Sequence, residues 1–168
     1  MKERTDVTIK LMNVAGSSAE QASNQLTAVW NNFDNGSEKL EYYADVMAKL
    51  GASTASSVDE IATGLEKFAA VAETVGLSYE YATSALATIT AETRQSADVV
   101  GTALKTLFAR IEGLKFGETL EDGTTLNKYS AALATAGVNI KNAKDEVKDM
   151  DTILEEVGER WNFLAKDQ

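Results

Sequence analysis

The stretch Ser96–Gly113, with the sequence SADVVGTALKTLFARIEG, marks both ends of a helix and one continuous apolar face. Ser96 suits the N-cap position, and Asp98 places a carboxylate in the first turn, near the positive end of the helix dipole. Apolar residues then recur at helical spacing: Val100, Ala103, Leu104, Leu107, Phe108 and Ile111. This spacing predicts an amphipathic helix that is buried along one side and ends at Gly113.

Gly101 is the unusual residue of this helix, because glycine inside a helix costs about 1 kcal/mol relative to alanine. We expect Gly101 to lie where a neighbouring helix approaches closely, and a ligand contact or a hinge is the alternative. If a helix crosses there, leucine at position 101 should overpack the crossing, whereas alanine should be nearly neutral or slightly stabilising.

Five earlier segments combine an apolar stripe with helix stop signals, and serines precede four of them. Ser18, Ser37, Ser57 and Ser78 are the predicted N-caps, with capping boxes at Ser18–Gln21 and Ser57–Glu60. Gly51 is the predicted end of the third helix. The predicted inward residues are Val7, Leu11, Val14 and Ala15; Ala19, Ala22, Leu26, Val29, Trp30 and Phe33; Leu40, Tyr43, Ala44, Met47 and Leu50; Val58, Ile61, Ala62, Leu65, Phe68, Ala69 and Ala72; and Tyr81, Ala82, Ala85, Leu86 and Ile89. Trp30 is assigned to the core, with an exposed partner contact as the alternative.

The residues after Gly113 follow a different sequence pattern, in which turn signals interrupt shorter segments. Leu114–Thr125 predicts a loop or a weak hairpin, because Asp122–Gly123 is a turn signal. A short helix from Leu126 should end at Gly137. Residues 138–140 and 146–148 predict a small two-stranded hairpin, and Asp151 is the predicted cap of a last helix that carries Trp161.

These segments predict an all-α fold of about seven short helices with one small hairpin near the C-terminal end. We divide the chain into residues 1–51, residues 52–113 and residues 114–168, as three parts of one compact domain. Both ends of the chain are abrupt, so we expect it to be a piece of a longer protein.

Composition excludes several classes of function. The chain has 26 acidic and 16 basic residues, a formal charge of −10, and no basic run, so we expect no direct binding to nucleic acid. It has no cysteine and no histidine, which removes disulfides, thiolate chemistry and the most common general base and metal ligand. It also has no run of about 18 apolar residues and no signal-peptide pattern.

Acidic clusters are the candidate catalytic groups, because glycosidases need two carboxylates across the scissile bond. Glu118, Glu121 and Asp122 are the best placed, but they lie in a polar loop without a calcium-binding spacing. We therefore interpret them as solvated, and likewise a second set on the exposed face of the last helix. That set is Glu155, Glu156 and Glu159, with Arg94 and Arg110 as available counter-ions. We assign no catalytic, cofactor-binding or metal-binding residue and expect no enzymatic activity.

Three stretches carry a resemblance: DEIATGLEKFA at residues 59–69, GTALKTLFARI at residues 101–111 and MDTILEEVGERW at residues 150–161. Together they resemble the helical region of phage tail tape measure proteins of siphophages and prophages in Gram-positive bacteria. The resemblance implies a structural protein that occupies the lumen of the tail tube, sets its length during assembly and leaves ahead of the DNA at infection.

The resemblance also implies partners and a location. The partners would be tail-tube subunits, tail assembly chaperones and other copies of the chain, and the location the virion after assembly in the host cytoplasm. Two other functions stay open at this point: a peptidoglycan-degrading enzyme of the tail, and a helical adaptor for protein interactions.

Overall fold

A computed structural model describes residues 2–116, 127–144 and 148–164 of the chain. In this part the regular structure consists of eight α-helices, which confirms the all-α prediction. The helices are α1 (Lys2–Ala15), α2 (Ala19–Phe33), α3 (Leu40–Ser53), α4 (Val58–Thr74), α5 (Tyr79–Thr93), α6 (Ala97–Phe116), α7 (Asn127–Thr135) and α8 (Met150–Leu164).

The chain forms two compact units. The first comprises Met1–Glu73 and Ser78–Thr106, and the second comprises Thr74–Leu77 and Leu107–Gln168. The buried apolar side chains of the first unit come from α1 to α6 and include Leu11, Leu26, Trp30, Met47, Ile61, Leu65, Phe68 and Leu86. Those of the second unit include Val75, Leu77, Phe108, Val138, Met150 and Ile153.

Four of the predicted serine caps are confirmed, and one of them is Ser96, whose hydroxyl accepts a 3.4 Å hydrogen bond from the Val99 N–H. Ser18 and Ser78 each accept a hydrogen bond of 3.2 Å from the backbone N–H three residues later. Ser57 and Glu60 form the full capping box, in which the Glu60 N–H donates to the Ser57 hydroxyl and the Ser57 N–H donates to the Glu60 carboxylate. Every residue of the stripe predicted for α4 is buried, including Phe68. Trp30 of α2 is buried as well. The sequence therefore predicts this part of the first unit closely.

Other predicted helix ends are wrong. Ser37 is not a cap, since α3 begins after Lys39, which makes no side-chain capping bond. The reason is that the side chains of Asp34 and Asn35 accept hydrogen bonds from the N–H groups of Gly36 and Ser37, which holds this segment in a turn. Gly51 lies within α3 rather than after it.

Two boundaries nearer the C-terminus also differ from the prediction. Helix α6 continues through Gly113 to Phe116. Helix α8 begins at Met150, so Asp151 lies in its first turn instead of capping it. Glycine weakens a helix without ending it when the following residues are good helix formers, as Leu114 and Lys115 are.

The buried face of α6 is narrower than predicted. Val100, Leu104 and Phe108 are buried, but Ala103 is exposed and Leu107 has 44 % of its surface exposed. Ala97 and Gly101 are buried instead, and they fix which side of α6 faces the core. At 3.6 residues per turn, Leu107 lies roughly 120° around the helix from Gly101. Val14 of α1, also predicted to face inward, is 59 % exposed.

Gly101 lies at a close helix crossing, as predicted, and its neighbour is another glycine. A methyl group added at Gly101 would lie 2.6 Å from the carbonyl oxygen of Gly64 in α4 and 3.1 Å from the Gly64 Cα. A methyl group at Gly64 would in turn lie 2.6 Å from the side chain of Leu86 in α5. Because the obstacle at Gly101 is backbone, the structure favours a destabilising effect of alanine there over the nearly neutral one expected from the sequence.

The small hairpin is not supported by the described residues. Residues 138–140 form no strand, and the Lys148 N–H donates one backbone hydrogen bond of 2.9 Å to the Ile140 carbonyl. Asn142 accepts a hydrogen bond from the Lys144 N–H, which makes a local turn, and α8 begins two residues after Lys148. Residues 145–147 and the predicted loop at 117–125 lie outside the described part.

Helix α7 ends near Gly137, as predicted. Gly137 has φ +82°, and the N–H of Val138 donates a 2.8 Å hydrogen bond to the carbonyl of Leu133, which closes the helix end. In the described residues, every helix is too short or too polar to cross a lipid bilayer.

Candidate functional site

The predicted acidic groups are not gathered into a site by the described structure. Glu118, Glu121 and Asp122 lie outside the described residues. On α8, Glu155 and Glu159 are exposed, whereas Glu156 forms a 2.6 Å ion pair with Lys148.

The two candidate counter-ions belong to other helices than α8. Arg94 ends α5 in the left-handed conformation, with φ 57°, and Arg110 is an exposed residue of α6. Among the residues that the structure describes, no three acidic groups are close enough together to hold a metal ion.

The most distinctive local arrangement is a cluster of four aromatic rings in the first unit: Phe33, Tyr42, Tyr43 and Tyr79. Tyr79 packs edge-on against Tyr43 with ring centroids 5.0 Å apart, and against Phe33 at 5.4 Å. Tyr42 packs edge-on against Tyr43 at 5.7 Å and lies 6.4 Å from Tyr79. Such edge-to-face contacts are the favoured geometry for aromatic pairs, so the cluster fixes the spacing of α3 and α5.

The hydroxyl groups of this cluster are all hydrogen-bonded. Tyr79 donates a 2.5 Å bond to the carbonyl of Tyr43, and Tyr43 donates a 3.0 Å bond to the carbonyl of Phe33. Tyr42 donates to the carboxylate of Glu80, in the first turn of α5. The two inner tyrosines therefore join α2, α3 and α5 below the surface, and Tyr42 joins α3 to α5 at the surface.

A groove with a volume of about 450 Å³ begins at Tyr42 and runs along α3 beside α5. We call it the α3–α5 groove. Helix α3 contributes Tyr42, Asp45, Val46, Lys49, Leu50 and Ser53, and α5 contributes Glu80 and Ser84. The α3 residues have the spacing i, i+3, i+4, i+7, i+8 and i+11, which is one continuous helical stripe over about 16 Å.

The groove has an apolar floor and a charged rim. Val46 and Leu50 are half-buried, whereas Asp45, Lys49, Glu80 and Ser84 are exposed. The polar groups thus lie where water reaches them, and the aliphatic groups lie beneath. This is the usual composition of a surface that binds a partner through apolar contact and orients it through charge.

Acidic groups dominate the electrostatics at the Tyr42 end of the groove. The hydrogen bond to Glu80 is the main cause that raises the pKa of Tyr42 to about 12, and burial and the nearby Glu38 act in the same direction. Burial raises the pKa of Tyr43, and the charges of Asp34, Glu38 and Glu80 raise it further. Burial also raises the pKa of Tyr79 far above its usual value. All three phenols are therefore neutral at physiological pH.

Sequence reasoning missed this groove, although one signal was present. Tyr42 stands beside Tyr43, so only one of the two rings can point into the core. Reading α3 from Tyr42 instead of Tyr43 gives a second stripe with Val46 and Lys49, on the flank of the predicted inward stripe, and the two stripes share Leu50. Whether such a flank is covered by a neighbouring helix depends on the distance between helices, which the sequence pattern does not specify.

Comparison with known proteins gives one positive result. A family model described as "Phage-related minor tail protein" matches residues 1–168, the whole chain. No curated protein and no solved structure matches the chain.

Proposed function

The chain belongs to the phage-related minor tail protein family, and from that membership we propose that it acts as a tape measure for the tail. The membership itself assigns a structural role in a phage tail. The finer assignment rests on the three stretches that resemble tape measure proteins, two of which lie in α4 and α6. The match over all 168 residues is the observation that carries the phage-tail role, and the three stretches extend it to a tape measure.

As a tape measure, the chain would lie in the lumen of the tail tube while rings of tube protein polymerise around it. Its partners would be tail-tube subunits, tail assembly chaperones and other copies of itself. Assembly would take place in the host cytoplasm, and the chain would leave the tail ahead of the DNA. The net charge of −10 fits that last step, because like charge keeps the protein from adhering to DNA in the same tube.

The mechanism of measurement depends on the state of the chain inside the tube. A continuous helix of this length would span about 250 Å at 1.5 Å per residue. A folded domain of similar size has a radius of gyration of only about 15 Å. A stretched tape measure would therefore need the helices to separate from one another and to exchange their mutual contacts for contacts with the tube wall or with sister chains, whereas a folded segment would contribute far less length.

An in-frame deletion tests this mechanism in a phage that encodes the chain. Removing residues 54–95 takes out α4 and α5 together with their linkers. Tails should shorten by about 60 Å if the segment is a stretched helix in the tube, and by far less if it stays folded. Electron microscopy of purified virions measures the length.

A point variant is the matched control for this deletion. Gly101→Leu disturbs the contact between α4 and α6 without changing the number of residues, so it should leave tail length unchanged. Tails of parental length in the deletion phage would contradict a measuring role for this segment and would indicate a role in initiation or ejection.

We also propose that the chain has no catalytic activity, since its role in the tail is structural. A zymogram with peptidoglycan as substrate tests this. The parent chain should give no zone of cleared peptidoglycan. A cleared zone that is lost when Glu118 and Glu121 are replaced by glutamine and Asp122 by asparagine would assign these residues a catalytic role and contradict the proposal.

A further inference from the structure

We propose that the α3–α5 groove docks a basic amphipathic helix of a partner protein. This inference goes beyond the tape measure role, because it concerns what one surface of the first unit binds and not how tail length is set. It rests on the shape of the groove, on its apolar floor, on the charge around it and on the rigid contact at one end.

The shape fits a helix. The groove follows one stripe of α3 from Tyr42 to Ser53, a length of about 16 Å or three helical turns. A helix that lies in such a groove presents apolar residues at i, i+3, i+4 and i+7, which is a common mode of recognition between proteins. Val46 and Leu50 supply the apolar surface for those residues, and Ser53 and Ser84 leave room because their side chains are small.

The charge favours a basic partner. Asp45 and Glu80 line the groove, Glu38 acts on the same end, and Lys49 is the one basic residue among the lining side chains that the structure describes. A second copy of this chain carries a net charge of −10 and would be repelled on approach. A helix with lysine or arginine beside its apolar stripe would instead pair with Asp45 and Glu80.

The groove is already formed in the free chain. The hydrogen bond from Tyr42 to Glu80 joins α3 and α5 at its mouth, and the bond from Tyr79 to the Tyr43 carbonyl joins the same helices beneath. Little order has to be created on binding, which favours affinity. These contacts among Tyr42, Glu80, Tyr79 and Tyr43 keep the floor of the groove open. They hold α3 and α5 apart by about the width of an aromatic ring.

Peptide binding to the full 168-residue chain tests the proposal. The probe is a fluorescent peptide of about 18 residues, made of leucine and lysine, with the leucines at helical spacing. One control peptide replaces every lysine with glutamate, and another arranges leucine and lysine in strict alternation. Fluorescence anisotropy should show saturable binding of the helical lysine peptide and binding at least roughly tenfold weaker for both controls.

Variants of exposed residues locate the binding surface. Ser84→Trp fills the groove and Asp45→Lys reverses charge at its rim, and each should weaken binding of the lysine peptide roughly tenfold or more. Ser23→Trp on α2 and Glu66→Lys on α4 make the same changes outside the groove and should bind like the parent. Circular dichroism shows that each variant keeps its helices.

Three results would overturn the proposal. The first is a lysine peptide that does not bind, and the second is equal binding by Ser84→Trp and the parent. The third is a parent chain that forms dimers in sedimentation and becomes monomeric with Ser84→Trp, since the occupant would then be a second copy. None of these results bears on tail length, so a failure here leaves the deletion experiment as an independent test of the tape measure role.

Discussion

Two helix contacts within the first unit are built in opposite ways. Helices α4 and α6 touch through glycine, and a single methyl group at Gly101 would lie 2.6 Å from the Gly64 carbonyl. Helices α3 and α5 are separated by tyrosine rings, with Tyr43 and Tyr79 centred 5.0 Å apart. The first contact leaves no space for another molecule, and the second leaves a groove of about 450 Å³ at its edge.

The difference teaches that side-chain size at a contact decides whether a helix pair closes or stays open. Glycine allows backbone to meet backbone, and the gain is dense packing that tolerates no added atom. Tyrosine needs space for its ring and a partner for its hydroxyl, so it holds helices apart and bonds them at defined points. In this unit, the glycine contact stabilises the fold, and the tyrosine contact forms the surface where we place partner binding.

The largest expected effect comes from breaking the glycine contact. Gly101→Leu should lower the free energy of unfolding by about 3 kcal/mol or more, because the new side chain meets the backbone of α4 and neither helix can shift freely. Gly101→Ala should lower it by about 1 to 2 kcal/mol, since its methyl group already meets the Gly64 carbonyl. Urea denaturation followed by circular dichroism measures both changes.

Gly158 is the matched control for this prediction. It lies inside α8, and within the part of the chain that the structure describes a methyl group added there has no neighbouring atom within 4 Å. Gly158→Ala should therefore raise stability by about 0.5 to 1 kcal/mol through helix propensity. If Gly101→Ala behaved like Gly158→Ala, the two helices would not be in backbone contact at Gly101.

The tyrosine contact should depend on pH in a way that the glycine contact does not. Tyr79 is buried, and burial raises its pKa above the usual 10. An unfolded chain loses this proton near pH 10, whereas the folded chain keeps it. The stabilising contribution is therefore complete below about pH 10 and falls above it, by up to about 1.4 kcal/mol per pH unit.

Tyr79→Phe separates this effect from other alkaline changes. At about pH 8 the variant should be less stable than the parent by about 1 kcal/mol, because the hydrogen bond to the Tyr43 carbonyl is lost. Above about pH 10, however, its midpoint in urea should fall less steeply than that of the parent. Equal slopes for the two proteins would contradict the protonated, buried state of Tyr79.

The part of the fold that could be predicted follows local rules. Helix α4 is the clearest case, because its capping box and its unbroken apolar stripe both depend on sequence spacing alone. Helix α5 was predicted less well, since Thr83 and Thr90 are buried and Tyr81 is not. Thr83 is tolerated in the core because its hydroxyl donates to the Tyr79 carbonyl within the same helix, a bond that hydrophobic spacing does not reveal.

The candidate site could not be predicted for a related reason. Tyr42 and Val46 are ordinary residues of a helix flank, and the groove depends on the distance at which α5 packs beside them. The exposure of Leu107 was likewise not predicted, because helical spacing alone does not fix which side of a helix is covered. Each feature requires the distance or rotation of a second helix, which is tertiary information.

The smallest expected effect concerns the surface hydrogen bond between Tyr42 and Glu80, the outer counterpart of the Tyr79 bond. The pKa of Tyr42, about 12, depends mainly on this hydrogen bond to Glu80, so Glu80→Gln should return that pKa toward 10. At about pH 10.5, where the parent's helices are first verified by circular dichroism, the variant should show higher tyrosinate absorbance, by up to about three-quarters of one tyrosine if the pKa returns fully to 10. Stability at neutral pH should change by less than about 0.5 kcal/mol, since the pair is exposed to solvent.

Glu66→Gln removes the same charge from α4 and should leave the absorbance unchanged. An absorbance equal in Glu80→Gln and the parent would mean that Tyr42 does not join α3 to α5, and that the inner tyrosines alone keep the groove open.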